Sequence, residues 1–271
     1  MFIRIISSLL GLPILAALII FGGTWLAAGV AAVAVVGLLE LYQAFGVITI
    51  RMRVMAVIFV SAQMILIVIF GGTMAFVVPM LVLIFLMIMM VAQHRTRDIF
   101  IPIVGSFGFV YIVLMLSTIY LIRENWGVYA VWLIFIAAWG CDTGAYFTGK
   151  AIGRRKLAPV LSPKKTVEGA IGGSITATAL GAVYGVILYN LDEISLNFVY
   201  IYALITLICS IAAQFGDLAA SAIKRQRGVK DFGNIIPGHG GVLDRFDSII
   251  FATPVAYVIL VVIDVLNGGT L

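Results

Sequence analysis

Apolar residues in this chain gather into blocks about as long as a bilayer-crossing helix, roughly 20 residues, with short polar breaks between them. Nine blocks can be placed, roughly at 5–21, 24–45, 54–70, 73–92, 101–122, 127–147, 167–190, 198–222 and 248–266. Only Gly71-Gly72 separates the third block from the fourth. The first has Arg4 alone ahead of it and no well-placed small-residue cleavage site, so it reads as a retained span and not as a signal peptide. The pattern predicts an all-α polytopic membrane protein of about nine transmembrane helices.

Composition agrees. The 271 residues are 63% hydrophobic and 11% charged, with a mean hydropathy of +1.19, whereas soluble domains carry roughly 25% charged residues. Charge adds an orientation. With nine spans, one side receives the N-terminus and the breaks near 46–53, 93–100, 148–166 and 223–247; these hold sixteen of the seventeen Lys and Arg residues, and the other side receives Arg123. Cytoplasmic loops carry the basic excess, so the N-terminus and the polar loops are expected in the cytoplasm and the C-terminus outside. The net charge of +5 then reflects this asymmetry and contact with anionic head groups. Membrane lipids, and no nucleic acid, are the expected partners. No long polar extension flanks the blocks, which gives the expectation of a cell inner (cytoplasmic) membrane. Cys141 and Cys209 fall within spans without metal or redox spacing and read as packing residues.

The two halves differ. Residues 1–130 hold short breaks and little charge and are expected to form N-terminal transmembrane helices serving as scaffold, lipid entry or dimer contact. Residues 131–271 are expected to form the functional C-terminal transmembrane region, with cytoplasmic loops 148–166 and 223–247. No internal repeat is visible, which counts against transporters built from inverted repeats.

Three polar patches stand in the second half. In WGCDTGAYFTGKAIGRRKL, 139–157, Asp142 lies inside the sixth span, where a carboxylate costs about 2.5–3.5 kcal/mol even on insertion scales and faces a cavity or a partner. The run GAYFTGKA fits phosphate-loop spacing, but Ala151 replaces the magnesium-binding hydroxyl and the run closes a membrane helix, so it is no phosphate loop. In LSPKKTVEGAIGG, 161–173, Ser162 and Pro163 read as N-cap and first helical position of the seventh span. Lys164 and Lys165 would then sit in the first turn, where a cation is disfavoured and where an anion such as phosphate binds. Gly169 and Gly173 read as helix packing. In QFGDLAASAIKR, 214–225, Asp217, Ser221 and Lys224 share one helical face.

The loop that follows is rich in both charge and glycine. Residues 221–247, SAIKRQRGVKDFGNIIPGHGGVLDRFD, carry Arg225, Arg227, Lys230 and Asp231, the turn Pro237-Gly238-His239-Gly240-Gly241, and Asp244, Arg245 and Asp247. Carboxylates beside phosphate-binding cations suit magnesium, which takes one or two carboxylates and fills its shell with phosphate oxygens and water.

This run, with D-T-G-A-Y-F-x-G-K at 142–150 and S-P-K-K-T-V-E-G at 162–169, closely resembles the signature motifs of the CDP-diacylglycerol synthases, the phosphatidate cytidylyltransferases. The likeness covers about 139–254 and is only compositional before that. It implies an integral membrane nucleotidyltransferase, with residues 131–271 as its catalytic region. CTP and phosphatidic acid would give CDP-diacylglycerol and pyrophosphate by attack of the lipid phosphate on the CTP α-phosphorus, the first step of CDP-dependent phospholipid synthesis. It further implies Asp217 and Asp244 as metal ligands, Mg2+ as cofactor with K+ beside it as a further candidate, and Lys224 and Arg225 at the triphosphate. Ser221, Lys230, His239 and Arg245 join Lys164 and Lys165 as substrate contacts. Asp142 is either a further metal ligand or the partner of a lysine. The family also implies a homodimer and an active site facing the cytoplasm. CDP-alcohol phosphatidyltransferases carry a D-x2-D-G-x2-A-R run that is missing here. A transporter of an anionic or phosphorylated solute is the alternative; it requires polar residues near mid-bilayer and on both sides, whereas here they cluster at one face.

Overall fold

The computed structural model describes residues 2–92, 99–236, 238 and 240–266. The loop expected at 93–100 and the turn residue His239 lie largely or wholly outside them. Two compact units emerge, Met1–Asn125 with Gln226–Phe246, and Trp126–Arg225 with Asp247–Leu271.

Helices dominate both. The first unit starts with α1 (Phe2–Phe21), α2 (Gly23–Ala44), α3 (Ile50–Phe70) and α4 (Met74–Ala92). Positive-φ glycines punctuate them: Gly22 at φ 63 parts α1 from α2, and Gly71 at φ 80 ends α3. Thr49 caps α3 by accepting the Met52 N–H at 3.2 Å, so Arg51 and Arg53 lie in the first turn of that helix. Next come α5 (Phe100–Gly108), a π-helical stretch Phe109–Leu114 and α6 (Met115–Ile152). Gly108 allows close approach to α2, since a Cβ there would lie 2.7 Å from Leu38.

Among the described residues seven helices are long and apolar enough to cross a membrane, which makes this an all-α polytopic membrane protein. The count expected from sequence is nine. The difference arises at two places. The stretch Phe100–Ile152 runs for 53 residues, more than twice the roughly 20 that one crossing needs, and covers both blocks expected at 101–122 and 127–147. Gly127, at φ 81 and ψ −177, breaks it where the chain passes from the first unit to the second. The described apolar part of α1, Gly11–Phe21, is shorter than a span.

After α6 the second unit departs from expectation. Residues 162–166 are not the start of a helix but the strand β2 (Ser162–Thr166), antiparallel to β1 (Lys156–Ala158). Pro163 is tolerated because a two-stranded hairpin is all edge. The N-cap of α7 (Val167–Asn190) is Thr166, whose hydroxyl accepts the Gly169 N–H at 3.1 Å. Lys164 and Lys165 therefore precede the helix, and its first turn holds Glu168, the charge the dipole favours. Glu168 also accepts the backbone N–H groups of Arg154 and Arg155, at 3.0 and 3.1 Å, which pins the hairpin to α7.

The last two helices are longer than their apolar blocks. α8 (Leu196–Gln226) keeps Lys224 on the helix that carries Asp217 and Ser221, as their spacing implies, and it also takes in Arg225; α9 (Leu243–Leu266) takes in Asp244, Arg245 and Asp247. The sequence places these last four in the loop.

Candidate active site

In the second unit, the end of α6, the hairpin, the first turn of α7 and Gln214 of α8 enclose a cavity of about 340 Å3, within the roughly 300–1,000 Å3 common for small-ligand sites. Glycines bring its walls together. A Cβ on Gly169 would lie 2.9 Å from the Ala145 carbonyl oxygen, and one on Gly173 would lie 2.6 Å from that of Cys141, so α7 packs against α6 backbone to backbone. The stretch 144–151 is continuous helix within α6, in keeping with its rejection as a phosphate loop.

Charge enters from three elements. Asp142 of α6 and Lys164 and Lys165 of β2 line the cavity, and Lys165 forms an ion pair with Asp217 of α8, each about a quarter exposed. The Ser221 hydroxyl donates to Asp217 Oδ1 at 3.5 Å, one helical turn on, and Lys224 follows on that face, 9% exposed. Arg225, next to it, is exposed. Beneath, Gln214 Nε2 donates to the Ala170 carbonyl at 3.2 Å and to Ser174 Oγ at 2.9 Å, and Ser210 Oγ donates to Ser174 Oγ at 3.0 Å. Asp247 is buried; its Oδ1 accepts the Ser248 N–H at 2.7 Å, and Asp217, Lys224 and Asp142 lie within its electrostatic reach.

The first unit holds other residues that the motif singles out. Gly238 at φ 76 and Gly240 at φ 86 form a tight turn, closed by Ile236 N–H donating to the Gly240 carbonyl at 3.0 Å. Asp244 Oδ2 accepts the N–H groups of Phe232 at 2.8 Å and Gly241 at 3.0 Å. Lys230 and Arg245 are exposed. His239 lies outside the described residues.

The structure thus brings Asp142, Lys164, Lys165, Asp217, Ser221 and Lys224 together in one unit, and Asp244, Lys230 and Arg245 in the other. Sequence reading passes over Glu40, Gln214 and the structural use of Glu168. Glu40 has a readable signal, a lone carboxylate in an apolar block. Glu168 has none, because what it binds is backbone, and Gln214 has none, because its partners are a carbonyl and a serine hydroxyl 44 and 40 positions away.

No group of three or more His, Cys, Asp or Glu residues suited to a metal exists among the described residues. Magnesium does not require one: it keeps water and phosphate in its shell and leans on one or two carboxylates. Asp217 and Asp142, beside lysines that suit the phosphates, fit an ion that arrives with a polyphosphate.

The sequence model of the cytidylyltransferase family matches residues 2–263. Among curated relatives, a phosphatidate cytidylyltransferase of Bacillus subtilis (strain 168) is 44% identical over 137 residues, 51% of this chain and 49% of that one. Proteins of the same name from Staphylococcus haemolyticus and Staphylococcus aureus (strain COL) are 43% and 45% identical over 135 residues, half of this chain and half of each relative. The match therefore spans about half the length of these relatives.

Proposed function

The chain belongs to the cytidylyltransferase family, and from that premise we propose that it joins CTP to phosphatidic acid, releasing pyrophosphate and leaving CDP-diacylglycerol in the membrane. The observation that carries this reading is the lysine–carboxylate cavity at the end of α6, in a unit of membrane-length apolar helices. An oxygen of the lipid phosphate attacks the α-phosphorus of CTP. A P–O bond forms there as the bond from the α-phosphorus to the bridging oxygen breaks, and pyrophosphate leaves with that electron pair. Such transfers depend mostly on positioning and charge stabilisation.

The chain's own residues divide that work. Lys164 and Lys165 hold phosphate oxygens in the cavity. Lys165 gives up Asp217 for phosphate, and Asp217, with Asp142 on the same cavity, would hold the metal. Bound magnesium would draw charge from the triphosphate oxygens. Ser221, Lys224 and Arg225 continue the phosphate contacts along α8. Asp244 as metal ligand, Lys230, His239 and Arg245 as substrate contacts, and K+ beside Mg2+ rest on the motif. The basic asymmetry supports a cytoplasm-facing site in the inner membrane, and family likeness supports a homodimer.

Purified protein in detergent should release pyrophosphate only when CTP, phosphatidic acid and magnesium are all present. Asp217→Asn and Lys165→Met should each lower kcat by about 10²–10³, the typical cost of one stabilising group. Folded protein that yields no pyrophosphate, or that moves a phosphorylated solute across liposomes without releasing any, would overturn the reading.

A further inference from the structure

Glu40 stands in the last turns of α2, in the half of the chain that looks featureless in sequence, and it is 4% exposed. Its Oε1 accepts the Val242 N–H at 3.0 Å and its Oε2 accepts the Leu243 N–H at 2.8 Å. N–H groups at the start of a helix have no partner inside it, and the positive helix end favours a carboxylate. Two glycines make room for it: a Cβ at Gly241 would lie 2.6 Å from Glu40 Oε2, and one at Gly233 would lie 2.7 Å from its Cδ.

The other end of the loop is fastened to the same helix by the opposite charge. Arg227 donates from Nε to the Ala44 carbonyl at 3.3 Å and from Nη2 to that of Phe45 at 3.0 Å, with its guanidinium 5.1 Å from the Phe45 ring. It sits on the carbonyl end of α2, where a cation is favoured. Segment 227–243 is thus held to α2 at both ends. Between the fastenings, Gly241 donates its N–H to Asp244, and Glu40 occupies the space that a Cβ on Gly241 would need, so the two carboxylates shape one short piece of backbone.

A local Ser, Thr, Asp or Asn could cap α9. A carboxylate 202 positions away, costly to keep in an apolar helix, ties the turn to a rigid element instead. We propose that Glu40 is a positioning residue that fixes the backbone register from Gly240 to Asp244, and so presents the Asp244 carboxylate in one orientation before any ligand arrives. The inference deepens the reading above, on which its kinetic arm rests.

Two measurements on the full-length protein test it. Amide hydrogen exchange, without metal or nucleotide, should show faster exchange at 240–244 in Glu40→Gln than in wild type, with the second half of α9 unchanged. In the pyrophosphate assay the half-saturating magnesium concentration should rise by about tenfold or more, the range seen when the partner of a metal ligand is lost. A role in folding alone would lower the yield of active protein without moving that concentration. Glu40→Asp, which keeps the charge and shortens the reach, carries the same comparison if the Gln variant does not fold. An unchanged exchange pattern or magnesium requirement in whichever variant folds overturns the inference, and so does failure of both to fold, which would assign Glu40 to the fold alone. Wild-type protein without magnesium-dependent pyrophosphate release would instead defeat the functional reading, while the exchange experiment would still judge Glu40.

Discussion

At Gly173 a Cβ would meet the Cys141 carbonyl oxygen at 2.6 Å and the Ala145 Cβ at 3.0 Å. Backbone cannot swing aside as a side chain can, so Gly173→Ala should force α7 away from α6, with a loss of about 1–3 kcal/mol typical of overpacking. The check is a lower thermal midpoint in detergent, together with weaker binding of the proposed substrate CTP, because these two helices wall the cavity. The packing role of this glycine is legible in sequence from its spacing to Gly169. Glu40 is legible only in part. Its isolation in an apolar block says that it must have a partner, but the partners are backbone N–H groups, which every residue but proline offers, so sequence cannot say which loop it holds.

The elements near the cavity are where sequence reading slips, and the reason is local. Ser162-Pro163 and Thr166 are both plausible helix starts by side-chain chemistry, and the choice falls to Thr166 because the hairpin uses the residues before it. Val167 N–H donates to the Arg155 carbonyl at 2.9 Å as the hairpin closes, and Glu168 holds the turn from the other side. Tertiary pairing of this kind leaves no mark on hydrophobic periodicity. Thr166→Ala should cost about 1 kcal/mol for the lost cap and should make 153–165 more open to limited proteolysis, whereas Thr166→Ser should restore resistance. The extended ends of α8 and α9 slip past for a different reason: charged residues there look like loop, yet they lie where a helix can carry charge out of an apolar layer.

For the whole molecule, the apolar pattern conveys the class and most helix positions, because burial in lipid leaves long unbroken runs. It does not convey the grouping into two compact units, since residues 226–246 join the first unit from far along the chain. Orientation can be measured directly. Lys230 is exposed, and both cysteines are buried, so Lys230→Cys should be the dominant site for a membrane-impermeant maleimide. Labelling in inverted vesicles, with none in right-side-out vesicles, is the expected result for a cytoplasmic loop; the reverse pattern would invert the topology. The pair formed by Lys165 and Asp217 bears on how such a protein would fill. Each ion neutralises the other, so a cation claiming Asp217 frees Lys165, and an anion claiming Lys165 frees Asp217. Whichever comes first meets the cost of parting the two, and the second arrives without it. Linkage makes the help mutual and equal, so nucleotide and metal would behave as one joint ligand, each a weak visitor when alone.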